Sequence, residues 1–263
     1  MEKRPPATRT PDRKLVYKHA DGLDLPMHLY YPSQVKESYP LILCIHGGGW
    51  AAREDNSTWD GGWMASHAEW FSVRGAIGCA ISYRSYIPEK TSLRMLIEDC
   101  ASALQYILEH SRELQADPEQ IAVMGDSAGG HLASCLGTIC ALDNGIGARL
   151  KAVIALNPIT DLSDEKWSGR AGGEAEKLSP LLAVSAYTPR FLLMHGLNDS
   201  IVDARHSIGL SKQMEGMGRP HELFLLNGVE HAFILRGYES TDEQVEQYMA
   251  QCERFLQSAG VLP

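Results

Sequence analysis

Short continuous apolar runs recur along this chain, and between several of them apolar residues repeat every three or four positions. The runs Leu41-Ile42-Leu43-Cys44-Ile45, Ile121-Ala122-Val123-Met124, Ala152-Val153-Ile154-Ala155-Leu156, Phe191-Leu192-Leu193-Met194 and Leu223-Phe224-Leu225-Leu226 show no polar alternation. Runs of that length predict strands of a parallel sheet covered on both faces. Ala76 to Tyr83 reads as another strand. Nearer the N-terminus, Leu15-Val16-Tyr17 and Leu25 to Tyr31 flank an Asp21-Gly22 turn, and with Pro26 they predict an antiparallel edge hairpin. From Ser92 onward, Leu93, Leu96, Ile97, Cys100, Leu104, Ile107 and Leu108 lie at helical spacing, which predicts a long amphipathic helix. A second helix is expected over Trp63 to Arg74, stopped by Gly75, after a polar loop from Ala51 to Gly62. The Asp117-Pro118 step should close the connection into the strand at Ile121. Strand and helix therefore alternate, which implies an α/β chain with a mainly parallel sheet of about eight strands and helices on both faces. No repeat or linker divides it, so residues 1–13 are expected to form a flexible arm and residues 14–263 one domain.

Composition narrows the function classes. The chain has 263 residues, of which 44% are hydrophobic, enough for a sizeable core. A formal net charge of -9 argues against nucleic acid or an anionic membrane as partner, and neutral small molecules become the default. The six cysteines have no C-x-x-C spacing and fall largely in apolar runs, so they are expected to be reduced core residues. No run is long enough to span a bilayer, and Met1-Glu2-Lys3-Arg4-Pro5-Pro6 lacks the apolar segment of a signal peptide. A cytoplasmic protein is expected, or a secreted or periplasmic one if a signal has been removed. Neither a metal-ligand cluster nor a nucleotide-binding fingerprint is present, so no metal or cofactor is expected.

The chemistry-bearing residues follow the strands. In an open parallel sheet, working groups sit beyond the carboxyl ends of the strands. The strand at Leu41 runs into His46-Gly47-Gly48-Gly49-Trp50, and the strand at Ile121 into Gly125-Asp126-Ser127-Ala128-Gly129-Gly130. The strand at Phe191 leads to His195-Gly196-Leu197-Asn198-Asp199, and the strand at Leu223 to Gly228-Val229-Glu230-His231. The serine stretch fits G-x-S-x-G, a strand reversing sharply into a helix whose first N–H groups are unpaired. Ser127, Asp199 and His231 then stand in the order nucleophile, acid, base.

With these motifs the chain resembles the α/β-hydrolase family, and more narrowly the HGGG-type esterases and lipases that include carbohydrate acetyl esterases and hormone-sensitive-lipase-like enzymes. The resemblance runs from about Leu15 to Leu256. It implies an α/β-hydrolase fold and a serine esterase working through an acyl-enzyme. Ser127 would attack as His231 takes its proton, and Asp199 would hold the imidazole. The oxyanion hole would be drawn from the N–H groups of Gly47, Gly48, Gly49 and Ala128, with the choice among the glycines left open. Asp203 and Asp161 are rival carboxylates: Asp203 is expected to cap the next helix, and Asp161 follows an earlier strand. His46 and His131 are expected to be structural, and Asp126 a hydrogen-bonding neighbour. Trp50 and Trp59 are candidates for the substrate pocket, whereas Trp63 and Trp70 are expected to share a buried helix face.

Many relatives carry a lid, but here only the stretch from Ile159 to Thr188 separates neighbouring strands, and the chain starts close to its first strand. No large lid domain is expected, which favours short acetyl-type acyl groups on bulky alcohols such as sugars or xylan. An arylformamidase-like amide hydrolase is the alternative chemistry, and a non-catalytic binding protein of the same fold the alternative class. The oligomeric state is left open.

Overall fold

The computed structural model describes residues 9–51, 63–236, 238 and 240–263. Its eight strands are β1 (Arg13–Ala20), β2 (Leu23–Tyr30), β3 (Tyr39–Ile45), β4 (Ile77–Ile81), β5 (Ala116–Asp126), β6 (Ala152–Leu156), β7 (Arg190–Gly196) and β8 (His221–Leu226). The helices are α1 (Ala65–Ser72), α2 (Leu93–Glu109), α3 (Ser111–Leu114), α4 (Ala128–Gly137), α5 (Ile139–Asp143), α6 (Glu165–Ser168), α7 (Arg205–Gly216) and α8 (Asp242–Ser258). Every strand joins one sheet in the order β1-β2-β4-β3-β5-β6-β7-β8. The pairs β1/β2 and β2/β4 are antiparallel and the rest parallel, so the expected α/β-hydrolase architecture is present.

The apolar runs lack alternation because both faces of the central strands are covered. Leu41, Leu43 and Ile45 of β3 pack on the side of α2, α4 and α7, together with Leu96, Leu132 and Leu210. Ile42 and Cys44 of the same strand pack on the side of α1 and α8, with Phe71, Val245 and Phe255. Side chains in a strand point alternately to opposite faces, so a strand between two apolar layers must be apolar throughout. All six cysteines are free and buried in these layers.

Chain order reverses at β3: β4 lies on one side of it and β5 on the other. The parallel register sets Ile45, at the end of β3, opposite Gly125 near the end of β5. Such a switch point opens a crevice at the carboxyl ends of the strands, which is where both glycine-rich motifs emerge.

Three local expectations need correction. Strand β5 starts at Ala116 and passes through Asp117 and Pro118 to Ile121. A register irregularity between Tyr39 and Leu41 accommodates that extra length. Pro26 lies in β2, which has neighbours on both sides and is no edge. It faces Val16 at a register shift, and β4 pairs with β2 only from Met27 onward, so its missing N–H breaks no ladder bond there. Helix α1 is shorter than Trp63 to Arg74, but Gly75 stops it as expected. Ala76 N–H bonds the Phe71 carbonyl and Gly75 N–H the Ser72 carbonyl, with Gly75 at φ +89°, a C-terminal reversal that favours glycine. The polar loop expected from Ala51 to Gly62 lies outside the described residues beyond Ala51.

One buried group in α2 departs from the apolar stripe. Asp99 is fully buried and takes a forked pair of hydrogen bonds from the Arg84 guanidinium, both at 2.8 Å. Lys18 reaches it from β1 at 2.7 Å, and Arg84 also bonds Asp21 in the hairpin turn at 2.7 Å. This network ties the antiparallel hairpin to α2 and to the exit of β4. Removing one partner strands a buried charge, which typically costs about 3–5 kcal/mol. Asp99→Ala should therefore lower the thermal midpoint by roughly 10 °C, given about 2–4 °C per kcal/mol for a chain of this size, as read by circular dichroism. A change within one or two degrees would show that the pair is dispensable.

Candidate active site

Ser127 sits between β5 and α4 at φ 53°, ψ −119°, a backbone conformation sterically costly for a side-chain-bearing residue. The surroundings hold it there. Its N–H still bonds the Leu156 carbonyl of β6 at 2.9 Å, while its own carbonyl accepts the first helical bond, from His131 N–H at 3.0 Å. The flanking glycines are required for close approach: a Cβ on Gly125 would lie 2.2 Å from the Gly129 carbonyl oxygen, and one on Gly129 2.2 Å from that of Ile45. The motif thus reads as one strained serine between two glycines that let strand and helix touch.

The elements after β7 and β8 converge on this serine. His231 Nε2 is 2.9 Å from Ser127 Oγ, and His231 Nδ1 is 2.7 Å from Asp199 Oδ2. The two loops are tied together, because Asn198 N–H bonds the Val229 carbonyl at 3.0 Å and Glu230 accepts from Ser200 N–H at 3.1 Å. Asp199 Oδ1 accepts the N–H groups of Ile201 and Val202 at 2.9 and 2.8 Å. Burial opposes ionisation of Asp199, but donors from His195 and His231 outweigh it and hold the carboxyl well below the usual carboxylate range. The rival carboxylates are engaged elsewhere. Asp203 accepts the Arg205 N–H at 2.8 Å at the start of α7, and Asp161 accepts the Ser163 N–H at 2.9 Å.

The glycine loop after β3 differs in detail from the expectation. Gly47 N–H is committed to Asp126 Oδ1 at 3.0 Å, so it is removed from the set of free oxyanion donors. Gly48 and Gly49 follow at φ +99° and +68°, and Ala128, first residue of α4, has an N–H without an intrahelical acceptor. Trp63 also donates to Asp126 Oδ1, at 3.1 Å, and its ring fills the space a Cβ on Gly48 would need, 2.9 Å away. Trp63 and Trp70 pack into the same apolar layer as expected, although Trp63 precedes α1 and Trp70 is half-buried, with Arg74 over its ring and its Nε1 on Glu246. Trp50, expected to line the pocket, is only 1% exposed and stands edge-on to His131 and Trp167 at 5.2 and 5.8 Å. It supports the loop from beneath. Trp59 lies outside the described residues.

Two contacts in this assembly are not legible in the sequence. Trp63 is buried as expected, but its bond to Asp126 has no local signal. Arg170, whose Nη1 donates to the Gly49 carbonyl at 3.0 Å beside the Trp50 and Trp167 rings, comes from an irregular segment with no periodic signal. His46 is stacked on Tyr83 at 4.4 Å, and His131 bonds the Leu178 carbonyl at 3.0 Å through Nε2, which are structural placements. Among the described residues, no group of three or more His, Cys, Asp or Glu could hold a metal ion.

The BD-FAE family model matches residues 27–214, which include the glycine loop and the serine elbow. The chain belongs to the BD-FAE family. Among curated proteins it is similar to the ethyl acetate hydrolase of Pseudomonas putida, at 27% identity over 90% of this chain and 80% of that one. It is also 32% identical to the carboxylesterase NlhH of Mycobacterium tuberculosis over 50% of this chain and 38% of that protein. The chain spans about half or less of the first curated relatives it matches, from 38% to 53% of their length. Among solved structures it is similar to the thermophilic esterase Est2 of the Planctomycetes species Thermogutta terrifontis in its propionate-bound form. That match has a TM-score of 0.84 and 28% identity and covers 95% of each chain.

Burial of the site's framework has a consequence for stability. Desolvation pushes the imidazoles of His131, below the serine, and His67, in α1, down from 6.5 to about 4. The unfolded chain takes up these protons first as pH falls, so folding loses stability between about pH 6.5 and 4, and these two groups add nothing further below that. Urea midpoints followed by tryptophan fluorescence should fall across that window. His131→Gln should flatten the slope, and an unchanged slope would show that His131 does not contribute to it.

Proposed function

We propose that this chain is a serine carboxylesterase acting through an acyl-enzyme on esters of short, acetyl-type acyl groups. The observation that carries the reading is the file of side chains from Asp199 through His231 to Ser127, with contacts of 2.7 and 2.9 Å. Ser127 Oγ attacks the ester carbonyl carbon as His231 Nε2 takes its proton, and the carbonyl π electrons move onto oxygen. Ala128 N–H and the N–H groups of Gly48 and Gly49 are the donors available to that oxyanion, since Gly47 is engaged by Asp126. On collapse, the C–O bond to the alcohol breaks and His231 returns the proton to the leaving oxygen. Water then repeats the sequence on the acyl-serine and releases the acid. Asp199 fixes the imidazole with Nδ1 protonated and stabilises its cation.

Support for short acyl groups comes from several directions. The segment between β6 and β7 holds only α6 and two short 3-10 turns, Glu176–Leu178 and Pro180–Ala183. Est2 of Thermogutta terrifontis has been solved with propionate and with butyrate, and the Pseudomonas putida relative is named for ethyl acetate.

Ser127→Ala should fold normally and lose ester hydrolysis by on the order of 10⁶, and a serine-directed phosphonate should label Ser127 alone in the parent protein. Labelling of another serine would remove the assignment. Each buried methylene is worth about 0.8 kcal/mol, so a covered acyl tunnel would raise kcat/KM severalfold per carbon. Here acetyl and propionyl esters should be hydrolysed fastest, with activity falling beyond butyryl. Octanoyl esters outrunning acetyl esters at matched soluble concentrations would overturn the short-acyl reading. Acetylated xylose and formylkynurenine in the same panel separate sugar-ester and formamide hydrolysis from simple ester hydrolysis.

A further inference from the structure

The carboxylate of Asp199 has more partners than holding one imidazole requires. Its side chain is fully buried. Oδ1 accepts two backbone N–H groups, from Ile201 and Val202, and Oδ2 accepts from His231 at 2.7 Å. The fourth position belongs to His195, whose Nε2 lies 3.3 Å from the same Oδ2 and 2.9 Å from the Val202 carbonyl. The hydrogen bond of Nε2 goes to the Val202 carbonyl, and its approach to Oδ2 is a longer, electrostatic contact that adds a fourth partner to a carboxylate offering about four acceptor sites. His195 is itself fully buried, and its Nδ1 lies 2.7 Å from Ser207 Oγ in the first turns of α7. Two oxygens face Nε2, so Nε2 carries hydrogen, and the Ser207 hydroxyl donates to Nδ1 and locks that tautomer.

We propose that His195 is a positioning residue for ester hydrolysis: its Nε2–H, oriented by Ser207, shares Asp199 Oδ2 with His231 and thereby sets the basicity of His231. This rests on the reading of Ser127, His231 and Asp199 as the hydrolytic file. The physical reason is that hydrogen bonds to an anion divide its charge among the donors. A second donor on Oδ2 weakens the pull of Asp199 on the His231 Nδ1 proton and makes the imidazolium less favourable. Removing that donor returns the charge to His231 and makes it a stronger base that stays protonated to higher pH.

The other charged groups around this site are already engaged. From the loop after β8, Glu230 is held by Ser200 N–H and Oγ, both at 3.1 Å. Around α7, His206 accepts the Thr160 N–H at 3.2 Å, Arg205 pairs with Asp164, and Asp203 bonds the Arg205 N–H. From β5, Asp126 holds Gly47 and Trp63. Of these, His206 also feels the charge of His195, whereas the hydrogen bonds of the others do not involve residue 195.

Two polar substitutions separate positioning from packing. Gln places its amide nitrogen where Nε2 of histidine stands, and Asn places it where Nδ1 stands. His195→Gln keeps a donor for Asp199, whereas His195→Asn keeps a partner for Ser207 and leaves Asp199 one donor short. The measurement is kcat/KM against pH with p-nitrophenyl acetate, whose acid limb reports the base in the free enzyme, with thermal midpoints alongside. The acid limb of His195→Asn should move up by on the order of half a pH unit, and that of His195→Gln should stay with the parent. Equal limbs in all three proteins, with lowered midpoints in the variants, would overturn the proposal and leave His195 a structural tie to the Val202 carbonyl. A downward shift in His195→Asn would overturn it as well. Asp199→Asn is the control for the underlying reading. If it keeps full activity, the hydrolytic file itself is wrong. If activity collapses in Asp199→Asn while the His195→Asn limb does not move, only the role of His195 falls.

Discussion

The left-handed backbone at Ser127 is the constraint on which the site depends, because that strain persists only while several neighbours fix the junction between β5 and α4. The Leu156 carbonyl of β6 holds the Ser127 N–H, so the serine is still part of the sheet's ladder when the chain turns. Gly125 and Gly129 let the first turn of α4 lie against the ends of β5 and β3. That close packing brings the glycine loop of β3 beside Ala128 and fills the same crevice with donors from two elements. It also explains why both faces of the sheet must be apolar: a junction this tight needs a rigid support on either side.

Around this point the polar groups form a supported framework with each partner accounted for. Asp126 uses its buried carboxylate to hold Gly47 and Trp63, and so shapes the loop. Arg170 ties the Gly49 carbonyl to the irregular segment after β6, and Trp50 fills the space between that segment and His131. On the other side, Asp199 accepts two backbone N–H groups and the His231 N–H, with His195 Nε2 at 3.3 Å. Orientation of reacting groups by locked neighbours is a large part of what a site supplies, since a small misplacement costs much of the rate. The family match and the similarity to Est2 across nearly the whole chain agree with the fold that carries this framework.

Much of this was legible in the chain itself. The strands at Leu41, Ile121, Ala152 and Phe191 appear where continuous apolar runs stand, because a strand covered on both faces has no polar side to show; the run at Leu223 also forms a strand, but at the half-exposed edge of the sheet. Helix α2 follows its apolar spacing from Leu93, with Ser92 accepting the Met95 N–H as its cap. That Ser127, Asp199 and His231 meet could be anticipated because each follows a strand end, and strand ends can be read from the apolar runs.

What the chain did not reveal depends on which distant residues meet. Asp99 lies in α2 outside the apolar positions that predict the helix, and packing against Arg84 of the β4 exit and Lys18 of β1 makes it a buried ion cluster. Gly47 looked like an oxyanion donor until Asp126, far along the chain, took its N–H. Trp50 is buried instead of lining a pocket for the same reason: local spacing tells which residues share a face, but the crevice is formed by the meeting of β3, β5 and the segment after β6. Sequence by itself determined the order of elements and the residues at the strand ends, because both follow from local hydrophobic periodicity and backbone preference. Tertiary structure alone decided which polar groups are spent on one another, because hydrogen bonds are short-ranged and directional and their partners here lie as much as 179 residues apart.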